Sequence, residues 1–155
     1  MNHFYKVTKL LRDILEADTL VNTVLFARTE DKDLYKKKLY PLVHINPIRS
    51  PYSNSTVREF IFEVGVFEQR DINSVNTETY FEGNDDLIDN FNVCDAILNR
   101  LVSTLSMLNN NDNIELINVS DAIPLVMKDT NLLDGYVIEL TLQIPNIIDL
   151  CYEEQ

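Results

Sequence analysis

The chain has 155 residues, about one domain's worth. Its apolar share of 45% and charged share of 25% are those of an ordinary globular protein, which excludes a disordered chain, a collagen-like fibre and a disulfide scaffold. The formal net charge of −12 argues against a protein that wraps DNA or sits on anionic lipid. That charge is unevenly spread: residues 1–70 carry 11 basic and 9 acidic side chains, whereas residues 71–155 carry 2 and 16.

A chain of this length buries roughly two-thirds of its unfolded surface and needs no covalent staples. No apolar run approaches the roughly 20 residues of a membrane span. The opening stretch MNHFYKVTKLLRDILEAD is charged throughout and has no signal-peptide core, so an intracellular, reducing compartment is expected and the sequons at Asn54 and Asn118 stay silent. Cys94 and Cys151 lie too far apart for a zinc pair or a CxxC motif.

In chain order, Phe4, Val7, Leu10, Leu11, Ile14 and Leu15 recur at spacings of three and four and predict a helix over 4–17. Residues 20–27 (LVNTVLFA) read as a short strand, followed by the charged loop 29–38. Residues 39–46 (LYPLVHIN) read as a second strand. Pro41 cannot donate to a ladder, so that strand starts there or lies at an edge. Two prolines and several hydroxyl side chains mark 47–56 as a long loop. The stretch 57–70 alternates. Phe60, Phe62, Val64 and Val66 lie on one face; Glu59, Ile61, Glu63, Gly65 and Phe67 lie on the other, which is expected to be mostly wet. A third long loop spans 72–84.

Leu87, Phe91, Cys94, Leu98, Leu101, Leu105 and Leu108 step by four and three and predict a helix over 85–108. Asn84 or Asp85 caps it, and Asp85, Asp86 and Asp89 suit the positive end of its dipole. Short strands follow at 114–119 and 122–128. A final strand spans 135–144, with Tyr136, Ile138, Leu140, Leu142 and Ile144 on one face and Pro145 at its end. The order α-β-β-β-α-β-β-β, with alternating strands and two amphipathic helices, predicts a single α+β domain over 1–155. It is a two-layer sandwich in which both helices cover one face of a mainly antiparallel sheet.

The chain carries few residues in patterns suited to chemistry. His3 and His44 are the only histidines, too few for a credible metal cluster, and no GxSxG elbow frames a nucleophile. Gly65, Gly83 and Gly135 are scattered, which excludes phosphate-cradling glycine loops. No catalytic residue, metal site or cofactor is expected. His44, among Leu42, Val43 and Ile45, reads as a structural histidine, and Cys94 as a small core residue. The acidic clusters read as solvated loops, a helix start and a chain end.

The strongest local signal is basic. Lys32, Lys36, Lys37 and Lys38 share one loop, and Arg49 lies in the next. With Arg28 just before, they suit phosphate contact or an acidic partner surface, or simply a solvated loop. Pro41, Tyr52, Tyr80 and Phe81 are candidate anchors, because aromatic side chains on long loops are costly to expose.

Four stretches together carry a resemblance. They are the first helix and strand with YPLVHINP at 40–47, REFIFEVGVFEQRD at 58–71, DDLIDNFNVCDAILNRLVSTL at 85–105, and the acidic-then-apolar ending LLDGYVIELTLQIPNIIDLCYEEQ at 132–155. In this order they resemble the tail terminator and neck (head–tail connector) proteins of tailed bacteriophages, of the type found in phages of Bacteroidetes hosts. The resemblance implies a structural virion protein without catalysis, assembled in the host cytoplasm. It implies a homo-oligomeric ring of six or twelve copies, neighbours among portal adaptor and tail tube proteins, and DNA that passes without specific binding. It transfers no individual residue. The basic loop is expected to dock near acidic elements of the 71–155 half on a neighbouring subunit. An acidic lumen would keep passing DNA from sticking. Other readings of the same residues are an interaction module of a different assembly, a small metal-dependent enzyme, and an acidic DNA mimic.

Overall fold

The computed structural model of the protein describes residues 2–26, 39–52, 56–70, 87–128 and 132–146. Helix α1 (His3–Ala17) begins at Asn2, whose Oδ1 accepts from the Phe4 N–H at 3.3 Å. It ends at Asp18, whose carboxylate accepts from the Leu20 N–H at 2.9 Å, while the Val21 N–H reaches the Asp18 carbonyl at 3.1 Å. This turn consumes the first residues of LVNTVLFA, so strand β1 (Thr23–Phe26) is shorter than the predicted 20–27.

The remaining elements are β2 (Leu42–Arg49), β3 (Val57–Gln69), α2 (Leu87–Met107), β4 (Glu115–Val119), β5 (Ile123–Lys128) and β6 (Leu133–Pro145). The expected α-β-β-β-α-β-β-β order holds, and the architecture is α+β. The strands form one sheet in the order β1-β2-β3-β6-β4, with β5 also on β6. β1 runs parallel to β2, and every other pairing is antiparallel. β4 and β5 succeed each other along one flank of β6. Between them the Ser120 N–H donates to the Glu139 carbonyl at 2.9 Å, and Ser120 Oγ accepts from the Glu139 N–H at 2.8 Å. The two short strands therefore act as halves of one sheet edge.

Strand parity decides the core. Phe60, Phe62, Val64 and Val66 of β3 pair with Leu142, Leu140, Ile138 and Tyr136 of β6, and these side chains face the helices. Val7, Leu11 and Leu15 of α1 and Cys94, Ile97, Leu98, Leu101 and Leu105 of α2 close the layer above them. Each large side chain so buried contributes roughly 1.5–3 kcal/mol. Phe4 adds an aromatic contact at the start of α1, stacked on Phe62 at 6.2 Å and edge-on to Phe26 at 6.1 Å.

The opposite face departs from expectation. Instead of being mostly wet, it holds a second apolar cluster of Leu42, Phe67 and Leu133, and His44 is fully buried beside it. The reason is local. A Cβ on Gly65 would lie 2.3 Å from His44 Cε1, and one on Gly135 would lie 1.9 Å from the Val66 carbonyl oxygen. The missing side chain of Gly65 lets the His44 ring lie against the strand and stack on Phe67, with centroids 5.3 Å apart, while that of Gly135 lets β6 approach Val66 and Phe67 of β3. His44 Nε2 sits 3.4 Å from Glu63 Oε1. Two of the three scattered glycines thus serve close packing.

The predicted 47–56 loop begins later than expected. β2 continues through Pro47 and Ile48 to Arg49, with a register shift between Pro47 and Arg49. Proline is tolerated there because, among the described residues, β1 pairs with β2 only as far as Ile45 and no ladder partner meets Pro47 on that side.

Candidate assembly interface

The last residues of β2, Pro47–Arg49, form one wall of an open groove of about 500 Å³. The start of α1 (Asn2, His3 and Phe4) and the start of β3 complete it. Arg58, the second residue of β3, organises this corner. Its Nη1 donates to the Pro51 carbonyl at 3.1 Å and its Nη2 to Ser50 Oγ at 2.7 Å. Ser50 Oγ in turn donates to the Glu59 carbonyl at 2.7 Å, which fastens residues 50–52 to β3. The guanidinium lies 3.6 Å from the centre of the Tyr52 ring and 5.4 Å from that of Phe60. Tyr52 is therefore held in place while 85% of it stays exposed.

Charge pairing sets this corner apart. Lys6 pairs with Asp112, Lys9 with Asp13, Arg12 with Asp13 and Glu16, Arg70 with Asp134 and Arg100 with Asp18. Among the described Lys and Arg side chains, Arg49 and Arg58 alone have no carboxylate partner, and both line this groove. In a chain of net charge −12, intramolecular carboxylates are plentiful. Two cations left without one, beside a fixed exposed tyrosine, make a surface suited to protein contact.

Of the residues expected to mediate contact, Arg49 and Tyr52 come together here, with Arg49 exposed at the end of β2. Lys32, Lys36, Lys37, Lys38, Tyr80 and Phe81 lie outside the described residues. Pro41 is not a surface anchor. It is buried, and its carbonyl accepts the Asn22 and Thr23 N–H groups at 3.0 and 3.3 Å, holding the turn before β1 against the start of β2. Sequence reasoning missed Arg58 as a site residue. Its signal was parity, for Arg58 occupies the same face as Phe60 and Phe62 and is the charged exception in that row.

The buried polar side chains of Asp134 and Asn90 are satisfied within the fold. Asp134 is fully buried; Arg70 Nε and Nη2 donate to its two oxygens at 2.8 and 2.9 Å, and Asn90 Nδ2 donates at 3.1 Å. This network joins the end of β3, the first turns of α2 and the start of β6. Cys94 Sγ lies 3.9 Å from the Asp134 carbonyl oxygen. Burial, with the charges of Glu68 and Asp134, pushes its thiol up to about 12, which leaves it un-ionised near neutral pH. Among the described residues, no three His, Cys, Asp or Glu side chains converge to hold a metal ion, and no helix is long and apolar enough to cross a membrane.

No known family model matches the chain, and no curated protein matches it.

Proposed function

We propose that this chain is a structural subunit of a tailed-phage neck or tail, without catalytic activity, that assembles into a closed homo-oligomeric ring. In that role it joins the tail tube to the head in the virion and lines the channel through which DNA passes, with portal adaptor and tail tube proteins as its neighbours. The phage assignment rests on the resemblance of the element order and the four quoted segments. The observation that supports assembly is the corner at the end of β2, where Arg49 and Arg58 lack carboxylate partners beside the exposed Tyr52. A ring needs a heterologous interface, one patch meeting a different patch, and a charge-lopsided subunit can steer such a contact. Particle imaging and native mass spectrometry of the purified protein over a range of concentrations test this reading. Closed rings of six or twelve support it; a monomer throughout the range overturns it.

A further inference from the structure

The sheet has a second exposed edge, chemically complementary to the first. Along β4 and β5, Ile117, Ile123 and Val126 are exposed, Ile123 by 60%. Glu115, Asp121 and Glu139 stand exposed on this flank, and among the described residues none of their carboxylates has a cationic partner. One flank of the sheet thus carries surplus cations with apolar Ile48 and Tyr52, and the other carries surplus carboxylates with apolar isoleucine and valine.

Resting on the ring reading above, we infer that the Arg49–Tyr52–Arg58 corner docks on the β4–β5 edge of a second copy of this chain. Charge decides the mode of association. Two corners meeting about a two-fold axis would place arginine against arginine, and two β4–β5 edges would place carboxylate against carboxylate. Corner against edge is the arrangement in which both surpluses are matched. Because the two patches lie on opposite flanks of the sheet, each added copy presents a new free patch, so the contact propagates until it closes. The contact runs through side chains and is not strand addition. Pro124, the register shift between Leu116 and Asn118 and the break at 120–122 all blunt the β4–β5 ladder. The apolar side chains that share the corner with its polar groups, Phe4, Ile48 and Tyr52 among them, also favour a protein partner over a phosphodiester backbone, which has no apolar side chains to meet them.

The test is site-directed cross-linking between differently tagged chains, all carrying Cys151→Ser. An Arg49→Cys chain mixed with an Asp121→Cys chain should form a mixed disulfide about tenfold faster than with an Asp95→Cys chain, whose cysteine lies on α2. Arg49→Glu should weaken assembly at low salt, and Asp121→Lys in the same chain should restore it. Among the described residues the Arg49 side chain has no ion pair or hydrogen bond to lose, so its reversal should leave folding intact. Equal cross-linking to positions 121 and 95, or assembly indifferent to the Arg49 reversal, overturns the inference. A duplex oligonucleotide that binds the parent chain but not Arg49→Glu, without the cross-link, would assign the corner to phosphate and overturn it likewise. The two levels separate cleanly. Closed rings without the 49–121 cross-link sink this contact and leave the ring reading standing; the cross-link without closed rings sinks the ring reading instead.

Discussion

Arg70, just beyond the end of β3, donates to both oxygens of a fully buried Asp134. Arg58, at the beginning of the same strand, meets a carbonyl, a hydroxyl and two aromatic rings but no carboxylate. One guanidinium is neutralised inside the fold and locks three elements together. The other is positioned with equal care and left with its charge uncompensated. A strongly acidic chain has no shortage of carboxylates for Arg58, and the proposed docking on a second copy would supply one from outside.

Four variants break or sharpen this contrast. Replacing Asp134 by Ala should cost about 3–5 kcal/mol, because Arg70 and Asn90 lose their acceptor in a buried site. Denaturant unfolding measures it, and a cost under about 1 kcal/mol, typical of an exposed pair, would erase the distinction. Arg58→Ala should cost about 1–2 kcal/mol, from the lost stacking and hydrogen bonds. Its clearer sign should be faster amide exchange at residues 50–52, which it fastens to β3.

The pair of Arg100 and Asp18 lies between these extremes. Arg100 Nε and Nη2 donate to the two Asp18 oxygens at 2.7 and 2.9 Å, tying the end of α1 to α2. Burial raises the Asp18 carboxyl, but the Arg100 hydrogen bonds outweigh it with help from the Leu20 N–H, so the net shift is below the ordinary 3.8. A depressed carboxyl stabilises the fold above its unfolded value and loses that contribution as pH falls through its folded value. Asp18→Asn should therefore cost under about 1 kcal/mol at neutral pH, since the Arg100 side chain is half exposed, and the gap from the parent should narrow as pH falls below the ordinary carboxylate value of 3.8. Thermal melts at the two pH values check this. Smallest of all, Arg49→Ala should leave stability within about 0.5 kcal/mol of the parent while weakening self-association. A large loss of stability would show that Arg49 serves its own fold.

Most of the helix-facing core was legible in the chain, because it is written in local periodicity. The three-and-four spacing of α1 and α2 and the period of two in β3 and β6 name nearly every buried apolar side chain on that face. Pro145 marks the last residue of β6, and Pro41 immediately precedes β2. The second cluster was not legible, since alternation around Glu63 and Gly65 reads as a wet face until Gly135 and Phe67 are seen side by side in the β3–β6 register. The candidate interface was half legible. Arg49 and Tyr52 are visible as a basic and an aromatic residue on a loop, whereas Arg58 was absorbed into the pattern of its strand.

By itself the sequence determined the α+β class, the element order, the helix-facing core and the lopsided charge, all of which depend on residue type and near-neighbour spacing. The tertiary structure decided which charges are spent and which remain. Asp134 finds Arg70 64 positions away, and Asp18 finds Arg100 82 positions away. Whether a cation is neutralised depends on such long-range register, and no spacing rule can supply it.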